Sequence, residues 1–422
     1  MSTATEHSST PPPADLPRLL VWTWTDPDFP SGSPAILAAL LDPLPAGKVE
    51  VVCEDRTQGR RQRLHRFRHP VHRYRLHQRL WPFRRGSRIR TALAYLCAPC
   101  LLLYGLWRIY RFRPGCLLTV YHQPLWIFTS YLLSKLTGVP VVYYVHDPYR
   151  QAAEHRGRLE GKLAAWIESR TLHHGLVVAL SDYTAELYRQ TAGIEARVLP
   201  HVADLSWASE VVPRPHTTGE EGRLVGYAGT IYENNQDLMK CLASVVEAEP
   251  RLCLRVWTPA RQAVLEACGL LHPRIEIRFE SDHQRLLEEL SQCDLLYLPL
   301  SFHDSPSLPT DSLRYALPTK VVDYCLAGAP TLVHCPEDYA TARFFRHHEA
   351  GFLLHRERLE DLRSWIKQWL DEDDTPSFSR GLGSARATFD PSRNHRLFRE
   401  YVREAAQQDS KANQRQRNEV EK

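Results

Sequence analysis

The feature that most constrains this chain is a rhythm of short apolar runs alternating with helical stretches, which stops once and then begins again. In the first half Arg18–Thr25, Val49–Cys53, Cys116–Tyr121, Val139–Val145, Leu176–Leu180 and Val198–Leu199 read as strands. In the second half Leu224–Ala228, Leu252–Trp257, Arg274–Arg278, Leu295–Leu298, Pro330–Val333 and Gly351–Leu354 do the same. Runs this short and this continuously apolar, with helices between them, predict βαβ units in parallel sheets buried on both faces. From Asp204 to Gly222 the rhythm is lost, and Pro213, Pro215, Thr217, Thr218 and Gly219 mark a linker. A chain of 422 residues is also too long for one ordinary core. Two doubly wound α/β domains are therefore expected, the second binding ligand at the carboxyl ends of its strands. The expected divisions are a disordered leader at 1–15, a first domain at 16–205, a linker at 206–222 and a second domain at 223–380. A final helix is expected at 381–405, beginning near Asp390, and a disordered polar tail at 406–422.

Charge divides the chain differently. The net charge is only +4, yet Arg56–His146 contains no Asp or Glu and holds 16 Arg and one Lys. Thirteen of those arginines fall in Arg56–Arg90, with Phe67, Tyr74, Trp81 and Phe83 among them. Contact with an anionic membrane surface accounts for this composition best, and a merely solvated face is the alternative. Nucleic acid is disfavoured, since no binding motif or stacking platform accompanies the arginines. His65, His69, His72 and His77 sit among those cations, which argues against a bound metal. Ala92–Trp107 is uncharged for 16 residues, short of the roughly 20 a spanning helix needs, and Pro99 interrupts it. A buried or interfacial helix is expected there. The ten cysteines are scattered, Cys97 and Cys100 form an isolated pair, and the N-terminus lacks an apolar signal region. Reduced thiols and a cytoplasmic location follow.

Three motifs carry chemistry. In Ala316–Pro330, Pro318 suits the first position of a helix, where its missing N–H costs nothing. The free N–H groups near Thr319 and Lys320 make an anion site, to which Lys320 adds a point charge. Asp323 lies about one turn on, placed to accept two ribose hydroxyls, and Gly328 ends the helix. A nucleoside diphosphate needs this combination; the plainer reading is a surface helix with a Lys–Asp pair. In Val225–Thr230, Gly226 and Gly229 let backbone approach a diphosphate closely, although many βα turns contain glycine. In Tyr144–Pro148, His146 and Asp147 end a strong strand, where they would orient a sugar or stabilise developing charge, or else begin an ordinary Asp-Pro turn. His201 is a weaker candidate for the same cleft, or a hinge residue.

With these motifs in view, the chain resembles the GT-B glycosyltransferases of the family-4-like group, which includes enzymes of bacterial cell-surface polysaccharide synthesis. The resemblance runs from about Arg18 to Ala405. It is strongest in the order Gly-Tyr-Ala-Gly-Thr at 226–230, Cys293–Pro299, Pro318-Thr-Lys and Asp323–Gly328. Leu199–Asp204 looks like the family's first-domain end, and the last helix like the one that crosses back onto that domain. The resemblance implies a nucleotide sugar on the second domain, a saccharide or lipid-linked acceptor on the first, and a retaining reaction without cofactor or required metal. Gly229, Thr230, Thr319, Lys320 and Asp323 would hold the donor, with His146 and Asp147 catalytic. Three departures stand out. The family's paired acid falls at Tyr315; Thr230 and Asn235 replace the Arg and Lys that often follow the glycine turn; Thr258-Pro259 replaces a glycine. They leave room for a catalytically silent scaffold at a membrane; a nucleotide-sugar epimerase is the other alternative.

Overall fold

The computed structural model describes residues 16–28, 32–55, 67–75, 96–156, 158–203, 222–305, 309–372 and 378–420. The first domain runs β1 (Leu19–Trp22), α1 (Ser33–Leu41), β2 (Val49–Glu54), β3 (Val71–Tyr74), α2 (Ala98–Phe112), β4 (Cys116–Val120) and α3 (Pro124–Thr137). It continues with β5 (Val141–Val145), α4 (Tyr149–Arg156), α5 (Arg158–Thr171), β6 (Leu176–Ala179), α6 (Asp182–Ala192) and β7 (Arg197–Val198). The second begins β8 (Arg223–Ala228), α7 (Gln236–Ala248), β9 (Leu252–Trp257), α8 (Gln262–Ala267), β10 (Ile275–Arg278), α9 (His283–Ser291), β11 (Leu295–Pro299) and α10 (Thr310–Tyr315). Then come α11 (Thr319–Ala327), β12 (Thr331–His334), α12 (Ala340–His348), β13 (Phe352–Leu354), α13 (Leu359–Asp371), α14 (Ser379–Thr388) and α15 (Pro391–Val420).

Both sheets are parallel throughout, in the orders β3-β2-β1-β4-β5-β6-β7 and β10-β9-β8-β11-β12-β13. The expected pair of doubly wound domains is present. Alternation along a single strand explains why each sheet must be covered twice. In β1, Leu20 and Trp22 join one core while Leu19 and Val21 join another on the opposite face. In β11, Leu296 and Leu298 face one core and Leu295 and Tyr297 the other. The strand order reverses between β1 and β4 and between β8 and β11, so each domain has one crevice at its carboxyl edge.

The last helix crosses back. Phe398, Val402 and Ala405 of α15 lie in the first-domain core, and Tyr401 Oη donates to the Val198 carbonyl at 3.1 Å. At the crossing, fully buried Asn394 donates through Nδ2 to the carbonyls of His201 (2.9 Å) and Thr388 (3.0 Å). The domains also meet where Thr184 Oγ1 of α6 donates to the Tyr315 carbonyl of α10 at 3.0 Å. The Arg343 guanidinium of α12 lies 4.5 Å from the centre of the Tyr183 ring.

Several local expectations need correction. The expected tail at 406–422 is helical through Val420 as the end of α15. Its Gln, Lys, Arg, Ala and Glu residues are good helix formers, and no Gly or Pro stops them. The final helix starts where expected, at Pro391 (α15), and a separate helix, α14 (Ser379–Thr388), precedes it across Phe389-Asp390. The apolar helix expected over Ala92–Trp107 occupies Ala98–Phe112, and Pro99 starts it instead of interrupting it. Residues 91–95 lie outside the described residues, as do the expected leader and nearly all of the linker. No helix among the described residues is long and apolar enough to cross a membrane.

The basic stretch contains an unforeseen strand. β3 is a half-buried edge strand whose Val-His-Arg-Tyr sequence shows little apolar signal. Arg73 on it binds Asp26 through Nε (2.8 Å) and also pairs with Asp28, while Arg75 pairs with Asp55 at 3.3 Å. Buried Arg108 of α2 pairs with Glu50. Arg73, Arg75 and Arg108 are thus bound by carboxylates from β2 and from the loops after β1 and β2. The remainder of Arg56–Arg90 lies outside the described residues.

Candidate donor and catalytic site

In the second domain the site begins where β8 and β11 part. They pair only at Val225–Leu295 and Gly226–Leu296. Beyond that point Tyr324 of α11 takes over: its hydroxyl accepts from the Ala228 N–H (3.0 Å) and donates to the Tyr297 carbonyl (3.2 Å). A side chain of α11 is therefore wedged between the two strands, which pins the start of that helix over the glycine turn. Gly229 has φ +125°, a conformation that favours glycine, and a Cβ there would overlap Lys320 Cε. The two motifs picked out separately in the sequence are in direct contact.

Lys320 donates to the Tyr227 hydroxyl at 2.5 Å, with its ammonium 4.2 Å from the ring centre. That hydroxyl also accepts from Asn235 Nδ2 (3.0 Å) and donates to the Thr230 carbonyl (2.9 Å). Among the described residues no carboxylate lies within ion-pair distance of Lys320. Burial pushes its ammonium down to about 7, against the opposing pull of Asp323. An arriving anion would restore the charge. Pro318 occupies the cap position, one residue before the first turn, because its backbone is extended (ψ 147°); no side chain caps α11. Gly328 ends the helix in the left-handed conformation, as expected.

Asp323 has a partner that the sequence did not suggest. His283 Nε2 lies 2.8 Å from Asp323 Oδ1, and that bond raises the histidine pKa. Two departures from the family pattern are local pins: Asn235 Oδ1 accepts from the Tyr232 N–H (2.9 Å), and Thr258 Oγ1 from the Ala260 N–H (3.2 Å). Neither supplies a cation. Tyr315, the third departure, lends its carbonyl to the interdomain bond from Thr184.

In the first domain His146 sits at the end of β5, only 4% exposed, with its ring edge-on to Tyr144 at 4.5 Å. Neither ring nitrogen has a hydrogen-bond partner among the described residues. Burial pushes its pKa down to about 3, helped by His201 and His122. At neutral pH the ring is uncharged, so it can orient a hydroxyl but cannot act as a resident cation. His201 is buried as well, with its Nε2 3.4 Å from the Leu317 carbonyl just before α11, and burial takes it to about 4. It thus lies between the two halves of the site. Asp147 is solvent-accessible, yet the surrounding protein raises its carboxyl, opposed by His122.

The turn that carries His146 and Asp147 is held from behind by residues the sequence gave no reason to select. Glu168 of α5 accepts from the Arg150 N–H, and the Tyr188 hydroxyl of α6 accepts from the Tyr149 N–H, at the start of α4. Tyr188 Oη in turn donates to Glu168 Oε1 at 3.4 Å. Burial raises Glu168 to about 7. Distant side chains capping a helix leave no mark at the helix's own sequence. No group of three or more His, Cys, Asp or Glu suited to a metal ion occurs among the described residues.

This geometry agrees with what the chain is similar to. The family profile described as glycosyl transferase 4-like domain matches residues 31–201. The whole chain has the GT-B fold. Anabaena HepE, in complex with UDP and glucose, superposes with a TM-score of 0.64 at 15% identity, over 92% of this chain and 99% of that one. Sucrose-phosphate synthase from Thermosynechococcus elongatus gives 0.67 at 13% identity, over 92% and 98%. A putative UDP-N-acetylglucosamine 2-epimerase from Listeria monocytogenes gives 0.51 at 14% identity, over 90% and 95%. No curated protein sequence matches. In this GT-B chain the family profile covers the domain with the basic stretch, whereas the sharpest motifs lie in the other.

Proposed function

We propose that the chain transfers a sugar from a nucleotide-sugar donor to a saccharide or lipid-linked acceptor in cell-surface polysaccharide synthesis. The observation that carries this reading is Lys320: a cation at a domain's switch point, laid against a glycine turn, with a neutral tyrosine as its partner. The diphosphate would meet Lys320 and the N–H groups of Thr319 and Gly229, with Thr230 beside it. Asp323 would take the ribose. Solved GT-B structures with UDP and with UDP-glucose support a donor of this class. His146, neutral and without a hydrogen-bond partner among the described residues, and Asp147 would receive and orient the reacting sugar from the first domain.

The reaction in this reading retains configuration and needs no metal, the diphosphate charge being met by Lys320 and backbone dipoles. The protein is cytoplasmic and peripheral on an anionic membrane face, approached through Arg56–Arg90 and the exposed Leu103, Trp107 and Tyr110 side of α2. Thermal unfolding against UDP, GDP, ADP and CMP sugars tests the donor site. A ligand at about 100 times its dissociation constant stabilises the fold by about 2.7 kcal/mol. A shift for one base that disappears in Asp323→Ala supports the reading; no shift with any nucleotide sinks it.

Tyr315 favours a second reading, a silent GT-B scaffold, because no carboxylate stands at that position. Donor binding without transfer, hydrolysis or epimerisation would select it. Isomerised donor formed without acceptor would instead select an epimerase.

A further inference from the structure

The donor-site reading leaves His283 without a role, yet His283 is bonded to the carboxylate on which that reading depends. We propose that His283 is the positioning residue of Asp323, fixing which carboxylate oxygen meets the ribose diol and so selecting ribonucleotides over 2′-deoxyribonucleotides. The inference rests on the donor-site reading and adds a residue and a selectivity to it.

The pair is built by packing, not by chance encounter of two surface chains. Asp282 caps α9 by accepting from the N–H groups of Gln284 (2.9 Å) and Arg285 (3.2 Å), which fixes the backbone of His283 as the first helical residue. Behind it, Leu287 and Leu290 of α9 share one core with Val321, Val322, Tyr324 and Cys325 of α11. The two helices are therefore locked together, and the 2.8 Å separation of Nε2 and Oδ1 follows from that contact. Asp323 retains a quarter of its side-chain surface and His283 about three-fifths, so a ligand can reach both.

The chemistry explains why such a partner helps. A cis-diol offers two O–H donors, and a carboxylate offers about four acceptor positions on two oxygens. A carboxylate free to rotate accepts the diol in several ways, whereas His283 on Oδ1 leaves Oδ2 as the oxygen for the hydroxyls. The carboxylate also stands about one turn from Lys320, where this reading seats two phosphates. Donation from His283 draws off part of its charge and lessens that repulsion.

The test is isothermal titration of the whole chain with whichever of UDP, GDP and ADP binds most tightly, and with its 2′-deoxy counterpart. His283→Ala should weaken the ribonucleotide about tenfold and the deoxy form much less, so that discrimination falls. His283→Gln, whose amide can still donate to Asp323, should restore most of the discrimination. Thermal midpoints confirm that each variant is folded. Unchanged affinity and discrimination in folded His283→Ala, with binding lost in Asp323→Ala, would overturn this inference and leave the donor site standing. Binding of no nucleotide by the unmodified chain would overturn the donor site and this inference together.

Discussion

Lys320 and His146 are both nitrogen bases at the carboxyl edge of a parallel sheet, and they are prepared for opposite tasks. Lys320 is half-buried, has a hydrogen-bonded hydroxyl beside it, and holds its proton weakly enough that an anion decides its charge. His146 is enclosed, has no partner for either nitrogen among the described residues, and is held neutral well below physiological pH. In the proposed function, the second domain recognises charge and the first receives a neutral, hydrogen-bonding group. This contrast suits a protein that grips a diphosphate on one side and reacts at a sugar on the other.

The largest effect expected from that contrast is at Lys320. Lys320→Ala should weaken donor binding about a hundredfold or more, since a charged hydrogen-bonding group facing phosphate is removed; unchanged affinity by calorimetry would remove Lys320 from the site. His146→Ala should behave differently, lowering kcat about a hundredfold while donor affinity changes little. Equal losses of binding at both positions would erase the division of labour between the domains.

The same burial should be visible in stability against pH. His146 and His201 have folded pKa values depressed to about 3 and about 4, below the unfolded value near 6.5. Their contribution is complete above pH 6.5 and is lost as pH falls toward those values, at about 1.4 kcal/mol per pH unit for each ring. Urea midpoints between pH 7 and pH 4.5 should fall with that slope, and His146→Gln should flatten it. Glu168 carries the opposite sign. Its pKa is raised to about 7, so it favours the fold when protonated and loses that contribution as pH rises from about 4.5 through 7. Glu168→Gln should therefore raise the urea midpoint at pH 8 and barely change it at pH 5. The smallest expected effect is at His283, whose titration by nuclear magnetic resonance should lie above 6.5 and drop in Asp323→Asn.

Much of this architecture is legible in the sequence. The strands of both domains are short apolar runs, and a parallel sheet covered on both faces requires such runs whatever the loops do. Pro318, Lys320, Asp323 and Gly328 were legible for the same reason: capping, charge and turn chemistry act within a few residues. β3 escaped because an edge strand need not be apolar, and its Arg73 is satisfied by Asp26 and Asp28 from far upstream. The pairings of Arg73 and Arg75 were hidden for a related cause, since local charge density says nothing about which arginines meet a carboxylate in the fold.

The sequence alone determined the two-domain parallel architecture, the glycine turn and the lysine–aspartate helix, because each follows from local periodicity and backbone chemistry. Tertiary structure decided the rest. It put Lys320 on Gly229 through the Tyr324 wedge, gave Asp323 its histidine, buried His146 as a neutral ring, and brought His201 against Leu317. Each of these depends on groups far apart in the chain meeting under burial, where proximity and the loss of water set both partner and protonation state.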